Sequence, residues 1–122
     1  MIFKLDFLHN GPPPDFTFII PTYNRVNLLI RSIKSIIDIN TNINHEIIIV
    51  DNNSELVNRS KILNFLNDTS WGDGLSVKYY YFYENTGMYQ NWNNGIHFCK
   101  SDYFTILNDD DVLLPGFNKL IY

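Results

Sequence analysis

Three consecutive carboxylates, Asp109, Asp110 and Asp111, follow an apolar segment at residues 103–107. Like charges held this close repel one another, and a hard divalent cation such as Mn²⁺ or Mg²⁺ would relieve the repulsion through oxygen ligands. Mg²⁺ sites commonly combine one or two protein carboxylates with phosphate oxygens of a substrate. A solvated acidic turn is the simpler interpretation, because acidic runs are often loops. The run indicates a metal site only if other parts of the chain bring further polar groups to it.

Polar or turn-forming residues also follow each of the other apolar segments that we predict to be strands. In an open α/β sheet the ligand site lies outside the carboxyl ends of the strands, so these segments would meet at one rim. The same residue types are frequent in ordinary turns, which leaves a purely structural role open for each segment alone. The segments that follow the first three predicted strands are residues 21–25, residues 51–54 and residues 84–87.

The elements that would position this rim alternate along the chain. Apolar residues at helical spacing predict an amphipathic helix over residues 26–37. The segment at residues 46–50 is apolar on both faces, which is typical of a strand in a parallel sheet that is covered on both sides. The resulting order, β-α-β-α-β-α-β, predicts an α/β fold with a mostly parallel sheet between two helical layers. The predicted strands are residues 16–20, 46–50, 77–83 and 103–107, and the predicted helices are residues 26–37, 55–66, 88–100 and a last one beginning at Phe117.

The N-terminal segment, residues 1–15, is interpreted as a lead-in to one domain over residues 16–122, because the prolines at 12–14 cannot donate backbone hydrogen bonds. A hydrophobic content of 45% in 122 residues predicts one packed domain. The formal net charge is −4 and the sequence has no basic stripe, so we expect no nucleic-acid partner.

The only cysteine, Cys99, cannot form a disulfide within the chain, which favours a reducing compartment and predicts a cytoplasmic protein. No apolar run approaches the ~20 residues of a membrane-spanning helix. Peripheral association with a membrane remains open. The glycine-rich turns of nicotinamide enzymes and of P-loop NTPases are both absent, so an anionic ligand would depend on a metal at the acidic run.

Taken in order, these segments resemble the family 2 glycosyltransferases, enzymes of the GT-A fold (a Rossmann-like nucleotide-diphospho-sugar transferase fold). The resemblance implies an inverting, metal-assisted transfer of a sugar from a nucleotide diphosphate, with a UDP-sugar favoured, to a hydroxyl of a glycan or lipid-linked acceptor. The family's catalytic domain is about twice this long, and its second half supplies the catalytic base, usually an aspartate. The chain is therefore expected to be a truncated, nucleotide-binding half that binds the donor and does not transfer sugar alone. The segments that carry the resemblance are residues 18–25, 46–54, 84–87, 91–96, 103–111 and 114–117.

Site residues follow from the resemblance, position by position. Asp51 is similar to an acid that accepts from a pyrimidine ring N–H, which suits uracil, and Asn53 is grouped with it. The acidic run is similar to the family's metal motif, with Asp110 as the favoured ligand of Mn²⁺ or Mg²⁺ and Asp109 or Asp111 assisting. The remaining nucleotide-binding candidates are, for the base and ribose, Pro21, Thr22, Tyr23, Asn24 and Arg25, and, for the ribose and diphosphate, Asn85, Gly87, Asn93 and Asp109.

Two positions depart from the family pattern. Asn108 stands where many members have the first acid of the metal motif, so the sequence leaves open which aspartates ligate the metal. Trp92 stands where many members have an arginine, so one positive charge expected near the diphosphate is missing.

The sequence leaves two other function classes to consider. One is a non-catalytic module that binds a sugar nucleotide. The other is a receiver-type phospho-acceptor domain, which needs paired acids after its first strand. This chain has Pro21, Thr22 and Tyr23 there, which disfavours a receiver.

Overall fold

The computed structural model describes residues 2–39 and 43–114. Five strands and three helices alternate over most of this length. The predicted helix at Phe117 lies outside the described residues. The elements are β1 (Phe3–His9), β2 (Phe16–Thr22), α1 (Val26–Ile37), β3 (His45–Asp51), α2 (Leu56–Asp68), β4 (Leu75–Phe82), α3 (Met88–Phe98) and β5 (Tyr103–Ile106).

The five strands form one sheet in the order β1-β4-β3-β2-β5. β2 pairs in parallel with both β3 and β5, and β3 pairs in parallel with β4. Thr22 is level with Asp51, and Asp51 is level with Tyr81, so the carboxyl ends of three strands lie side by side. The chain moves outward from β2 through β3 to β4 and then returns by α3 to β5 on the other side of β2. This reversal creates a crevice at the carboxyl ends of β2 and β5, the place where open α/β sheets bind ligands.

Helices cover both faces of the sheet, as the sequence predicts. On one face α1 and α2 bury Leu29, Ile33, Ile62 and Leu66 in the larger core cluster. On the other face a smaller cluster, centred on Ile19, Ile48, Val50 and Phe82, packs under α3. The helical spacing of the apolar residues in α1 explains its buried face, whereas α3 depends on the close approach of the Gly95 backbone to side chains of the sheet.

Gly95 sets the distance between α3 and the sheet. A Cβ atom at this position would lie 2.4 Å from Cγ2 of Ile19 and 3.4 Å from Cγ2 of Val50. The first distance is far inside van der Waals contact, so only glycine lets the helix lie this close to β2 and β3. The N-terminal turn of α3 is thereby brought to the rim of the sheet.

The segment at residues 1–15 is more than the lead-in expected from sequence. Residues 3–9 form β1, which pairs antiparallel with β4 and makes the sheet mixed at this edge. Arg59 of α2 holds the strand through an ion pair to Asp6, with a nitrogen–oxygen distance of 2.6 Å. The alternation of Phe3, Leu5 and Phe7 with charged residues is a period-2 signal for a strand, and it could have been recognised. A register shift between Leu5 and Phe7 places Phe7 against the larger core cluster, while Phe3 contacts Phe98 on the other face.

Candidate functional site

A cavity of about 540 Å³ opens at the carboxyl ends of the parallel strands. Its size lies within the roughly 300–1,000 Å³ that is common for small-molecule sites. We call one side of it the acidic wall, formed by Thr22, Arg25, Asp109 and Asp110. We call another the helix wall, formed by Gly87, Met88, Asn91 and Trp92. The remaining lining residues are Pro21, Tyr23, Asn52, Asn85 and Asn108.

The acidic wall places two carboxylates around one cation. The Thr22 hydroxyl donates to Oδ2 of Asp109 at 2.9 Å. Nη1 of Arg25 lies 3.4 Å from Oδ1 of Asp109 and 3.7 Å from Oδ2 of Asp110. The Asp109 side chain is almost fully buried, while those of Arg25 and Asp110 are about half exposed. One carboxylate is therefore fixed in the protein and the other faces the opening.

Helix α1 holds the backbone of the acidic turn. The buried hydroxyl of Ser32 lies within hydrogen-bond reach of the carbonyl oxygens of Asp109 and Asp111. One turn along the helix, Oγ of Ser35 accepts from the N–H of Leu113 at 3.0 Å. Two small hydroxyl residues on one helix face thus fix residues 109–113. The backbone that carries the two carboxylates of the acidic wall is therefore held in place before any ligand binds.

Burial shifts the proton affinity of the fixed carboxylate. Desolvation raises the pKa of the Asp109 carboxyl above its ordinary value, while the Thr22 hydrogen bond and the Arg25 charge act in the opposite direction. A carboxylate in such a place gains most from a nearby cation, because a positive charge offsets the cost of burying a negative one.

The acidic wall fits a divalent cation that is completed by ligands from outside the protein. Asp109 and Asp110 already share the charge of one guanidinium, so their oxygens converge on one position. Among the described residues, no group of three or more histidine, cysteine, aspartate or glutamate side chains converges on a metal position. Two carboxylates plus phosphate oxygens and water are a usual environment for Mg²⁺.

Asp111, predicted to assist the metal, does not line the cavity. Its side chain is exposed, and its backbone N–H donates to the carbonyl of Asn108 in a turn. The turn directs the third aspartate away from the other two. Of the two aspartates predicted to assist Asp110, only Asp109 lines the cavity together with it.

The helix wall differs in carrying buried polar atoms without partners. The amide nitrogen of Asn91 donates to the carbonyl of Val50 at 2.9 Å, which anchors α3 to the end of β3. Its Oδ1 atom, Nε1 of Trp92 and Oγ1 of Thr86 are buried and have no hydrogen-bond partner within the described part of the chain. Gly87 begins this wall with φ at +90°, a left-handed conformation that favours glycine.

Asn52 and Asn85 connect the end of β3 to the loop before α3. Nδ2 of Asn52 donates to Oδ1 of Asn85 at 3.0 Å, and Oδ1 of Asn52 accepts from the N–H of Thr86 at 3.0 Å. Oδ1 of Asn85 also accepts from the N–H of Gly87 at 3.0 Å. The two amides fix the shape of the loop while lining the cavity.

Asp51 lies behind the cavity wall rather than in it. Its side chain is fully buried, with Oδ1 accepting from the N–H of Ser54 and Oδ2 from the hydroxyl of Tyr79. Desolvation raises the pKa of this carboxyl. Because both oxygens are satisfied within the protein, the predicted contact with a pyrimidine ring has no support in this geometry. The neighbouring Asn52 is the residue that faces the cavity.

Three further predicted residues lie outside the cavity lining. Oδ1 of Asn24 accepts from the N–H of Glu55 and from Nδ2 of Asn58, so this side chain fixes the start of α2. Oδ1 of Asn53 accepts from the hydroxyl of Tyr81. Asn93 is exposed on α3. Two positions along a helix differ in direction by about 200°, so Asn91 and Asn93 cannot face the same wall.

Eight of the residues predicted from the sequence line the cavity: Pro21, Thr22, Tyr23, Arg25, Asn85, Gly87, Asp109 and Asp110. Asn52, Met88 and Asn91 also line it without having been predicted as site residues, as do Asn108 and Trp92, the two departures from the family pattern. The helical spacing of Met88, Asn91, Trp92 and Gly95 places these residues on one face of α3. This spacing is the sequence signal from which these lining residues could have been predicted, because Gly95 marks the side of α3 that approaches the sheet.

Comparison with known proteins identifies the family. The model of glycosyl transferase family 2 matches residues 17–121, and the chain belongs to this family. A curated relative, the GalNAc(5)-diNAcBac-PP-undecaprenol beta-1,3-glucosyltransferase of Campylobacter jejuni, is 35% identical over 104 residues. The match covers 84% of this chain and 32% of that protein. The chain thus spans about a third of the length of the curated relative it matches.

Solved structures confirm the GT-A fold. The crystal structure of S. aureus TarS 1–349 superposes with a TM-score of 0.70 at 19% identity, covering 88% of this chain and 31% of that one. The mannosyltransferase PcManGT of Pyrobaculum calidifontis, in complex with GDP-Man and Mn²⁺, gives a TM-score of 0.68 at 18% identity. That match covers 89% of this chain and 31% of the mannosyltransferase. At these identities the likeness concerns the fold alone.

None of the helices in the described ranges has the length and apolar character needed to cross a membrane.

Proposed function

We propose that this chain binds the nucleotide diphosphate part of a sugar donor, with a divalent cation held by Asp109 and Asp110. The observation that carries the proposal is the convergence of these two carboxylates at the switch point of the sheet. One is buried and fixed by Thr22, and both lie close to a single cationic group. A diphosphate brings negative charge to a rim that is already acidic, so a metal ion is needed to bridge the two.

The reaction that we propose for the whole protein is transfer of the sugar from its nucleotide to an acceptor hydroxyl, with inversion. Mn²⁺ or Mg²⁺, when bound, would act as a Lewis acid that stabilises negative charge on the leaving diphosphate. The chain's own contribution is to hold and orient that diphosphate through the acidic wall and the N-terminal turn of α3. The catalytic base belongs to the part of the family domain that has no counterpart in this chain, so we expect the chain alone to bind the donor without transferring sugar.

The choice of donor and acceptor rests on relatives. S. aureus TarS 1–349 has been solved in complex with UDP, which favours a uridine nucleotide, whereas the mannosyltransferase neighbour binds GDP-Man. The Campylobacter relative is named for an acceptor linked to undecaprenol through a diphosphate, which favours a lipid-linked glycan as acceptor. Such an acceptor would bring the protein to a membrane surface. A cytoplasmic location is part of the proposal and rests on the free thiol of Cys99.

Isothermal titration of UDP and of GDP into the purified chain, with Mn²⁺ and with EDTA, tests the binding proposal. We expect UDP to bind with Mn²⁺ and to lose at least about tenfold in affinity with EDTA, because the metal carries the diphosphate contact. Asp110→Ala should reproduce the EDTA result even with Mn²⁺ present.

Asp102→Ala is the matched control, since it removes the same charge at the opposite end of β5 and should bind UDP like the wild type. Metal-independent UDP binding that is unaffected by Asp110→Ala would contradict the metal role. If neither UDP nor GDP bound under any of these conditions, the proposed function itself would be contradicted.

A further inference from the structure

Arg25 is the only lysine or arginine that lines the cavity among the described residues, and both carboxylates of the acidic wall are near it. Its Nη1 atom lies 3.4 Å from Asp109 and 3.7 Å from Asp110. These distances are long for charge-assisted hydrogen bonds, which are usually about 2.7–2.9 Å. One guanidinium nitrogen thus sits between two acids without a close bond to either.

The three groups differ in their freedom to move. Asp109 is buried, hydrogen-bonded to Thr22, and carried on a backbone that Ser32 fixes. The Arg25 side chain is 53% exposed, and within the described residues it has no ion pair with a third carboxylate. A side chain in this position can turn into the cavity at little cost in packing, whereas Asp109 cannot follow it.

We propose that Arg25 is a placeholder cation, which neutralises the acidic wall until a divalent ion displaces it. The inference rests on the proposed function, since it concerns the same two carboxylates. A divalent ion bound to Asp109 and Asp110 would repel the guanidinium from their shared position. The freed arginine then has no carboxylate partner, and a diphosphate entering the cavity supplies anionic oxygens that suit its fork of donors. Arg25 therefore opposes metal binding in the free protein and supports nucleotide binding in the metal-loaded protein.

The two effects have opposite signs, which makes the inference testable with one variant. Mn²⁺ is titrated into the nucleotide-free chain at 0.15 M salt, and free Mn²⁺ is measured by electron paramagnetic resonance. We expect Arg25→Gln to bind Mn²⁺ roughly two- to fivefold more tightly than the wild type, the range given by ion pairs between partly exposed groups. Arg25→Lys keeps the charge and should stay closer to the wild type than Arg25→Gln does.

Lys61→Gln is the matched control. Lys61 is exposed on α2 and does not line the cavity, so its loss changes net charge without removing a competitor. Mn²⁺ affinity in Arg25→Gln that is equal to or weaker than that of the wild type would overturn the inference. So would an equal gain in Lys61→Gln, or a lack of Mn²⁺ binding by the wild type and Arg25→Gln alike.

A second titration, of UDP at saturating Mn²⁺, examines the freed arginine. We expect Arg25→Gln to bind UDP about tenfold more weakly, the effect of losing a hydrogen bond to a charged group. Unchanged UDP affinity would overturn this step. The proposed function fails separately, because it depends on UDP binding by the wild-type chain, whereas the placeholder role is decided in the absence of nucleotide.

Discussion

The acidic wall and the helix wall line the same cavity but are built in different ways. In the acidic wall the Asp109 carboxylate contacts both Thr22 and Arg25, and α1 supports the turn from behind. In the helix wall, Asn91 and Trp92 carry buried polar atoms that have no partner among the described residues. The buried carboxylate of the acidic wall already has partners within the protein, whereas the buried polar atoms of the helix wall lack them.

This difference indicates how the two walls would act on a ligand. A carboxylate held by buried hydrogen bonds needs no rearrangement to bind a cation, which is the preorganisation that binding sites on rigid elements provide. Buried polar atoms without partners carry a free-energy penalty of desolvation, and new hydrogen bonds to a ligand can offset that penalty. On the proposed function, the acidic wall would therefore hold the metal and diphosphate, and the unpaired polar atoms of the helix wall would gain partners from the rest of the donor.

The largest change is expected from Gly95→Ala, which would separate the helix wall from the sheet. The new Cβ atom would lie 2.4 Å from Ile19, so α3 must shift, and we expect a loss of up to about 3 kcal/mol in the free energy of unfolding. Urea denaturation measures the loss, and UDP titration should show weaker binding because Asn91 and Trp92 move with the helix.

Gly74→Ala is the control for the alanine substitution. A Cβ atom there would meet Oδ1 of Asn44 at 3.6 Å, an ordinary contact, so its unfolding free energy should stay near that of the wild type. Equal stability of the Gly95 and Gly74 variants would show that α3 does not need the close approach.

A matched pair, Thr22→Val and Thr86→Val, makes the same chemical change in the acidic wall and in the loop directly before the helix wall. The Thr22 hydroxyl donates to a buried carboxylate, so its loss should lower the free energy of unfolding by about 1.5 kcal/mol and weaken Mn²⁺ binding. The Thr86 hydroxyl is buried and lacks a partner among the described residues, so its replacement should leave stability unchanged or raise it by up to about 1 kcal/mol. Chemical denaturation and Mn²⁺ titration of both variants test this expectation. Similar losses of stability and of Mn²⁺ affinity in the two variants would contradict it.

The smallest expected effect concerns the pH dependence of stability at Asp51, behind the walls. Burial raises the pKa of this carboxyl above its ordinary value of 3.8, so the folded chain binds the proton more tightly than the unfolded chain. This contribution to stability is fully present below the ordinary pKa and is lost as the pH rises through the raised one.

Asp51→Asn has no such proton, so the unfolding free energy of the wild type minus that of the variant should decrease between pH 4 and pH 7. Urea denaturation at several pH values in this window measures the difference. A difference that is constant or increases with pH would show that the hydrogen bonds from Ser54 and Tyr79 outweigh burial.

Much of the fold could be predicted because the pattern within each segment decides it. The apolar run at residues 46–50 specified a strand covered on both faces, and the helical spacing in residues 26–37 specified the buried side of α1. The placement of Asp109 and Asp110 at the rim followed from the rule that parallel strands present their carboxyl ends at one edge. β1 was not predicted because the prolines at 12–14, which cannot donate backbone hydrogen bonds, are a stronger local signal than the alternation of Phe3, Leu5 and Phe7.

The amino-acid sequence by itself determined which residue types reach the carboxyl rim of the sheet, because the order of the elements along the chain and their side-chain periodicity can be read within each segment. Only the tertiary structure decided which of them face the cavity. Asp51 turns inward because Tyr79, 28 positions away, donates to it, and Asn91 rather than Asn93 lines the helix wall because Gly95 fixes the rotation of α3. Such choices depend on contacts between segments distant in sequence, which no pattern within one segment contains.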